Sequence, residues 1–455
     1  MPIASLDDIR ATVAHELDVT VLDVRRQTRW RPTWFVDAEK DGVRHDLVVR
    51  GDRVDTQAYP LEHEMAFHRI LHDNGVKVPE LYGYLPTLDA LILEFVPGKP
   101  DFGGVADADR DVIVDEYLQE LVKVHQLPIE PFTSAGVIRA ATGEDPALVH
   151  RSRMIRMWRA KKSAPDPFTE FCLGWMRRNP PRADGRETPV ICDTGQFHHD
   201  QGHLTAVLDL EFGHIGDPML DLAVWRMRDT LIPFGDFAKL YARYEELSGT
   251  AVDLEMIKRH TFASTLGNQL MFGPAVADPV SDTDLMNNMQ WNSETNLHAT
   301  ETLAELLDIE LPTVTAPEPR TTRQDKTFAH LVESLKVDTD DYLLKHDLRL
   351  AFRMARHLQR AHEIGDQVIE DDLDDLHELL GRRPATFAEG DAALEAFVLA
   401  DAADGRHDEA LIKLFHRRNL RVHLQLGPAG SSMATHLPMR PFPKAVAATS
   451  ERNHP

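Results

Sequence analysis

The sequence predicts an α+β protein with a strand-rich N-terminal part and a mainly helical remainder. Short apolar runs with the length of strands recur within the first 97 residues, among them VTVLDVRRQ, TWFVDAE, HDLVVRGDR and ALILEFVPG. A further pair of strands is predicted around a turn within residues 189–211. Segments before and after that hairpin, such as 106–128 and 253–274, repeat apolar residues at helical spacing.

The composition limits the class of protein and its partners. A length of 455 residues suggests roughly three domains. The 50 Lys and Arg against 74 Asp and Glu give a net charge of −24, which argues against nucleic acid or an acidic membrane as partner. With only Cys172 and Cys192, neither a disulfide framework nor a thiolate zinc site is expected, which favours a reducing cytoplasmic location. The N-terminal segment has the pattern of an acidic amphipathic helix, and no apolar run has the length of a membrane span.

The most informative stretch is residues 189–225, PVICDTGQFHHDQGHLTAVLDLEFGHIGDPMLDLAVW. It places Asp193 after one strand and Asp209 near the end of another, with Gln196 between them. Phosphoryl transfer requires such groups, because one acid receives the proton of the attacking hydroxyl while a second acid and an amide oxygen hold Mg²⁺. Asp193, Asp209 and Asp217 are each also typical of turns and helix caps, but three acids in this order around a hairpin favour a phosphoryl-transfer site.

The segment VLDLEFGHIGDPMLDLA resembles the catalytic segment of the aminoglycoside-phosphotransferase-like family, which is related to the eukaryotic protein kinases. The resemblance implies a bilobal protein-kinase-like fold, with ATP and Mg²⁺ as cofactors. It implies that Asp193 is the catalytic base and that Gln196 and Asp209 are metal ligands. Ile191 and Cys192 replace the usual His-Gly before the base, and the following loop is two residues shorter than usual.

A competing alignment places His198 in the position of the family's metal-binding amide. Gln196 is preferred, because its amide oxygen suits Mg²⁺ whereas an imidazole suits softer metals. The adjacent histidines His198, His199 and His203 do not predict a zinc site, since neighbouring strand residues face opposite ways and the hairpin turn separates His199 from His203.

Residues upstream fit the same resemblance. It implies that Arg50, at the end of a strand, contacts the nucleotide phosphates and pairs with Glu64 on the following helix. Arg replaces the usual Lys and supplies a planar fork instead of a point charge. Backbone groups of Glu94 to Val96 would then contact the adenine edge.

Two assignments stay open at the level of sequence. The predicted phosphate-covering turn TRWRP lacks glycine, so that Arg29 and Arg31 either supply charge to the phosphates or are solvated arginines of an ordinary hairpin. Glu211 is either a second metal contact or a solvated strand residue. No Walker motif occurs, which excludes a P-loop nucleotide site. Asp217 is expected to cap the next helix and to brace the catalytic loop.

The chain is predicted to divide into an N-lobe (1–97), a C-lobe (98–310), a Pro- and Thr-rich linker (311–325) and a helical C-terminal domain of unknown role (326–455). One long helix of that domain is expected to end at Gly365 as its C-cap. A helical appendage without a site constellation favours substrate capping or a homodimer contact. The family resemblance covers roughly two-thirds of the chain and stops near residue 310.

The predicted function is ATP-dependent phosphorylation of a hydroxyl group on a small molecule. Members of the resembled family phosphorylate aminoglycosides, choline and homoserine, and relatives of acyl-CoA dehydrogenases act on hydroxyacyl-CoA thioesters. The basic run 151–162 is either a partly buried helix or the border of an acceptor site for an anionic or neutral compound. A small alcohol or hydroxyacyl metabolite is favoured over an aminoglycoside. The alternatives are a nucleotide-binding pseudokinase that acts as a scaffold, and a kinase or nucleotidyl transferase acting on a protein.

Overall fold

A computed structural model describes residues 4–27, 31–52, 59–280, 283–426 and 436–442. It confirms the predicted α+β class: an antiparallel sheet forms the first lobe, and helices surrounding two short strand pairs form the second. The fold is bilobal, as predicted, with an additional helical region at its C-terminal end.

The N-terminal lobe contains a five-stranded antiparallel sheet in the order β1-β2-β3-β5-β4. Alternate residues of its central strands, including Trp34, Val36 and Val49, are buried against Ile9 and Val13 of the first helix, as expected for a sheet with one covered face. The elements are α1 (Leu6–Leu17), β1 (Thr20–Gln27), β2 (Thr33–Lys40), β3 (Val43–Gly51), α2 (Leu61–Asp73), β4 (Leu81–Leu85) and β5 (Ala90–Glu94).

The second lobe is built around the aromatic side chains Tyr117, Phe197 and Trp225, all of which are buried. Strands β6 and β9 pair with each other, as do β7 and β8. The elements are α3 (Asp107–Gln126), α4 (Glu130–Ser134), a 3₁₀ turn (Pro146–Leu148), α5 (Val149–Lys161), α6 (Pro167–Arg178), β6 (Thr188–Val190), β7 (Phe197–Asp200), β8 (His203–Val207), β9 (His214–Gly216), α7 (Pro218–Arg228), α8 (Phe237–Ser248), α9 (Leu254–Ala277) and α10 (Leu285–Leu307).

The predicted hairpin forms, but its second strand is shorter than expected. Gln201 and Gly202 connect β7 to β8 with positive φ angles of 50° and 82°, as a two-residue hairpin turn requires. Pairing with β7 ends at Val207, opposite Phe197. Asp209 and Glu211 therefore lie beyond the strand, and Asp209 adopts a left-handed φ of 62° that directs its side chain away from the strand alternation.

The C-terminal region contains α11 (Asp325–Ser334), α12 (Tyr342–Leu380), α13 (Phe387–Asp401) and α14 (Asp408–Leu426). The predicted helix end at Gly365 is wrong, because α12 continues for 39 residues to Leu380 and is capped by Gly381 at φ 71°. Gly365 lies inside the helix, where the packed α14 passes within 3.5 Å of the position of a Cβ. Within the described ranges, none of the helices has both the length and the apolar character to cross a bilayer.

The C-terminal helices share a hydrophobic cluster with the second lobe. The ring of Phe415 on α14 packs on Phe168 and Phe171 of α6, with centroid distances of 5.3 Å for both pairs. Lys162 pairs with Glu395 of α13 at 2.6 Å. The predicted linker contains no helix or strand before α11 begins at Asp325. A homodimer contact through this region stays a prediction.

Gly365 inside α12 and Gly381 at its C-cap give opposite predictions for substitution by alanine. Gly365→Ala should increase the free energy of unfolding by about 0.5–1 kcal/mol, since the backbone is helical and the added methyl makes an ordinary contact. Gly381→Ala should decrease it by about 1–2 kcal/mol, because an alanine is strained in the left-handed conformation. Urea unfolding of both variants measures the difference, and destabilisation by Gly365→Ala would contradict the continuous helix.

Candidate active site

Asp193, Gln196 and Asp209 meet at the junction of the lobes. Asp193 lies in the loop after β6 and Asp209 in the turn after β8. The Gln196 amide nitrogen donates hydrogen bonds to Asp193 Oδ2 at 2.7 Å and to Asp209 Oδ2 at 2.6 Å. The structure therefore brings together the three groups predicted to carry phosphoryl transfer and connects the two acids through one amide.

The loop that carries Asp193 is held by a buried carboxylate on α7. Asp221 accepts hydrogen bonds from the backbone N–H groups of Ile191 at 2.8 Å and Cys192 at 2.7 Å. His125 Nε2 lies 3.0 Å from the same carboxylate, and its Nδ1 hydrogen-bonds the Tyr244 hydroxyl. Asp221, which sequence reasoning assigned no role, positions the loop directly before the predicted base.

Asp217 has only one of its two predicted roles. Its side chain caps α7 by accepting the Met219 N–H at 3.1 Å, as predicted. The predicted bracing of the catalytic loop is wrong, since Asp221 makes those contacts. Asp217 instead pairs with Arg186 and His260. Burial alone would raise the pKa of Asp217, but the His260 and Arg186 contacts hold it below its ordinary value.

Arg228 is a site residue that sequence reasoning missed. It forms an ion pair with Asp193 through Nη2 and Oδ1. Gly195 allows this approach, because a Cβ there would lie 3.0 Å from Arg228 Cγ. A signal was present in the sequence: Arg228 follows Asp221 by seven residues, which places both on the face of α7 that meets the catalytic loop.

Cys192 lies directly before the predicted base, at the position where glycine is usual in the resembled family. Its φ is 71°, a left-handed conformation that costs a residue with a Cβ roughly 1–2 kcal/mol. The Cys192 thiol is buried in the core, and burial raises its pKa far above the usual range. This cysteine therefore fills space and carries backbone strain, and its thiol stays protonated.

Arg50 and Glu64 form the predicted ion pair between β3 and α2. Arg50 Nη1 also lies 3.5 Å from Asp209 Oδ1, so that the guanidinium reaches across from the N-terminal lobe to the catalytic turn. Glu64 is almost fully buried in the first turn of α2. A buried carboxylate is costly unless it is paired. Glu64 therefore holds the Arg50 guanidinium in a defined orientation.

Neither Arg31 nor Glu211 is a solvated side chain, because the two are buried and pair with each other. Arg31 is buried and donates to Glu211 Oε2 at 2.7 Å and to the Gly51 carbonyl at 2.7 Å. Its Nη2 lies 3.6 Å from Glu64 Oε2. Glu211 is buried as well, beyond the end of β8. Arg29, the other predicted phosphate contact, lies outside the described residues.

A cleft of about 450 Å³ separates the lobes next to these residues. Its walls include Arg50, Glu64 and the segment Glu94–Val96, together with Gln196 and Asp209. His198 Nδ1 hydrogen-bonds the Val96 carbonyl at 2.9 Å, so this imidazole joins the interlobe segment to β7. His199 Nε2 hydrogen-bonds the Asp101 carbonyl, and His203 Nδ1 hydrogen-bonds the Glu116 carboxylate.

A second pocket, of about 160 Å³, opens on the other side of the catalytic groups and is called the acceptor pocket below. Gln196, Asp209 and Arg228 line both the cleft and this pocket, and Asp193 lines the pocket alone. The remaining walls come mainly from α5, α7, α9 and α10 and combine apolar with polar side chains. From these helices they include His150, Arg151, Met154, Val224, Met227, Ser264, Gly267, Asn268, Met271, Phe272, Asn287, Asn288, Trp291, Glu294, Thr295 and His298, and from other segments Cys192, Phe212, Thr230 and Leu231.

The C-terminal segment 436–442 lies against α10, next to pocket residues Glu294 and His298. His436 pairs with Glu294 at 3.0 Å and with Glu301, both on α10. Burial alone would lower the pKa of His436, but the two carboxylates outweigh it and raise the pKa to about 9. His436 is therefore cationic at neutral pH and neutralises the buried Glu294.

The family comparison agrees with this geometry. Residues 27–255, half of the chain, match the model of the phosphotransferase enzyme family, APH. The chain belongs to this family. The match begins at the end of β1 and ends at the start of α9, and it includes both lobes' contributions to the cleft.

Two curated relatives match a smaller part of this APH-family chain. Acyl-CoA dehydrogenase family member 11 of Rattus norvegicus is 27% identical over 180 residues, which are 37% of this chain and 23% of that protein. Acyl-CoA dehydrogenase family member 10 of Mus musculus is 25% identical over 179 residues, which are 36% of this chain and 16% of that protein. The matched stretch thus spans less than a quarter of either relative.

Solved structures of similar fold include the choline kinase LicA from Streptococcus pneumoniae, with a TM-score of 0.47 and 16% identity, covering 65% of this chain and 97% of that one. The macrolide 2′-phosphotransferase MphH from Brachybacterium faecium has a TM-score of 0.43 and 18% identity, covering 60% and 93%. Both are distant in sequence.

The His436 ion pairs predict a pH-dependent stability. The folded pKa of about 9 lies above the unfolded value near 6.5, so the stabilisation is complete below about pH 6.5 and is lost as the pH rises through 9. We expect the difference in unfolding free energy between the wild type and His436→Gln to fall by up to about 3 kcal/mol between pH 6.5 and 9.5. Urea unfolding at several pH values measures it, and a difference independent of pH would contradict the ion pairs.

Proposed function

We propose that this chain is an ATP-dependent phosphotransferase that phosphorylates a hydroxyl group of a small molecule. The observation that carries the proposal is that Gln196 and Asp209 line both the interlobe cleft and the acceptor pocket, while Asp193 lines the acceptor pocket and accepts a hydrogen bond from Gln196. A phosphoryl donor on one side and a hydroxyl acceptor on the other would then face each other across the same three side chains.

On the donor side, we assign the adenine to the edge formed by Glu94–Val96 and the phosphates to Arg50. Glu64 fixes Arg50 through their ion pair, and Arg31 fixes Glu64 in turn. Arg31 and Glu211 are thus positioning residues in this proposal, and Glu211 is not assigned to the metal because its carboxylate engages Arg31 at 2.7 Å. The buried network holds the phosphate-binding guanidinium without a glycine-rich turn.

The charges around the cleft fit a divalent cation. Three guanidinium groups face four carboxylates, which leaves a net charge of about −1 for Arg31, Arg50, Arg228, Glu64, Glu211, Asp193 and Asp209. Asp209 and Gln196 would hold Mg²⁺, which takes oxygen ligands. Gln196 now directs its nitrogen to both acids, so an end-for-end rotation of the amide is needed to present its oxygen. When bound, the ion would neutralise charge on the phosphates.

On the acceptor side, Asp193 orients the hydroxyl and receives its proton. The acceptor oxygen forms a bond to the γ-phosphorus as the bond between that phosphorus and the ADP oxygen breaks, and the hydroxyl proton passes to the Asp193 carboxylate. Arg228 and Gln196 fix the orientation of that carboxylate. The electron pair of the broken bond leaves with ADP.

The acceptor is proposed to be a small alcohol or a hydroxyacyl compound. An enclosed apolar cavity of about 150 Å³ in another protein accepts benzene, so that a pocket of this size suits the reacting end of a compact acceptor. The similarity to acyl-CoA dehydrogenase family members supports including hydroxyacyl thioesters among the compounds tested.

Asp193→Asn should abolish turnover while leaving nucleotide binding unchanged. The amide keeps the shape of the side chain but cannot take the proton, so we expect a rate loss on the order of 10³-fold or more. Acceptor-stimulated ADP release measures the rate, and titration with a non-hydrolysable ATP analogue measures binding. Asp200→Asn, an exposed residue of the same hairpin, is the matched control. Full activity of Asp193→Asn would refute the base assignment.

Asp209→Asn should weaken binding of the nucleotide in the presence of Mg²⁺ much more than in its absence, because it removes a charged oxygen ligand of the ion. Calorimetric titration with and without Mg²⁺ separates the two affinities. Equal losses under both conditions would argue against a metal at Asp209. Binding by the wild type without turnover of any acceptor would favour a pseudokinase, and a wild type that binds no nucleotide would refute the proposed function.

A further inference from the structure

The acceptor pocket contains one buried charge that none of the described carboxylates neutralises. Its three carboxylates are each paired with a cation, and the pairs are Asp193 with Arg228, Asp209 with Arg50, and Glu294 with His436. Arg151 is the remaining charged group in the lining. Within the described part of the chain, no carboxylate pairs with it.

Arg151 lies on α5 with only 5% of its surface exposed. Nη2 hydrogen-bonds the Ser264 hydroxyl on α9 at 3.3 Å, and the buried Nε has no partner among the described residues. Burial lowers the pKa of Arg151, yet a guanidinium stays protonated in proteins. A buried cation without a counter-ion is costly, which makes the position informative.

Space for this guanidinium is provided by α9. A Cβ on Gly267 would lie 1.6 Å from Arg151 Nη1, so even alanine at this position would displace the arginine. Gly267 is in the middle of a helix, where glycine is otherwise unfavourable. Ser264, Gly267 and Asn268 share one face of α9 and all line the pocket. The position of Arg151 is therefore built by its neighbours.

We propose that Arg151 binds an oxyanion of the acceptor, a carboxylate or a phosphate, while the acceptor hydroxyl faces Asp193. This inference rests on the proposed function and adds the class of acceptor: a hydroxy compound with a negatively charged group. A planar guanidinium presents two parallel N–H groups that match the two oxygens of such a group. Apolar residues of the lining, among them Met227 and Met271, would cover the carbon skeleton between hydroxyl and oxyanion.

Three small aromatic probes test the proposal without turnover. Benzoate, phenyl phosphate and benzamide are close to the size that such a pocket accepts, and the first two carry an oxyanion. In the wild-type protein with ADP and Mg²⁺, we expect benzoate or phenyl phosphate to bind on the order of 10- to 100-fold more tightly than benzamide. Ligand-observed NMR titration measures the affinities, and the tighter of the two anions identifies the oxyanion. Equal affinities for all three probes would overturn the proposal.

Substitutions on α5 test whether Arg151 is the source of the preference for anionic probes. Arg151→Met should remove the preference for an anion, whereas Arg151→Lys should keep part of it because the charge remains without the fork. Arg156→Met is the matched control, since Arg156 is exposed on the same helix. An anion preference that survives in Arg151→Met would overturn the proposal, as would its loss in the control variant.

The outcome is independent of the kinase assignment. Nucleotide titration on the same samples tests the cleft, and a protein that binds ATP with Mg²⁺ but shows no preference among the probes would remain a candidate kinase with a neutral acceptor. A protein that prefers the anions but binds no nucleotide would retain the Arg151 subsite and lose the proposed function.

Discussion

A chain of buried ion pairs between the lobes is the constraint on which the site depends. It runs from Glu211 through Arg31 and Glu64 to Arg50, and ends at Asp209. The first and last members belong to the second lobe and the others to the first. Truncating one partner of a buried pair costs about 3–5 kcal/mol, because an uncompensated charge remains. The network therefore fixes how the sheet faces the catalytic turn, and with it the width of the cleft.

The sequence predicted those parts of the site whose residues lie close together along the chain, in a recognisable order and spacing. Asp193, Gln196 and Asp209 lie within one hairpin, so their proximity follows from a turn of known length. Burial of charge is different, since it depends on which elements pack together. The sequence left open that Arg31 and Glu211 are solvated. Their contact could not be foreseen, because the two residues are 180 positions apart in sequence.

The same limit explains the residues that were missed and the helix end that was wrong. Asp221 and Arg228 contact a loop that lies about 30 residues before them in sequence. The position of the Arg151 guanidinium depends on Gly267, which belongs to another helix. Glycine is common at helix ends, which is why Gly365 was predicted to be one. Its intrinsic cost inside a helix, about 1 kcal/mol, is however small beside the stabilisation from packing a 39-residue helix against α14. Tertiary contacts decide in each case.

The family match and the acceptor pocket occupy different parts of the chain. The match ends at residue 255, whereas Ser264, Gly267, Trp291 and Glu294 lie beyond it. The wall of the pocket formed by α9 and α10 packs against α14. The segment 436–442 lies along α10, where glutamates on one face of the helix accept hydrogen bonds from its backbone N–H groups. The family match thus covers the residues proposed to hold the phosphoryl donor, whereas much of the pocket proposed for the acceptor is built from helices outside the match. Under the proposed function, the C-terminal region would affect the choice of acceptor through its packing against those helices.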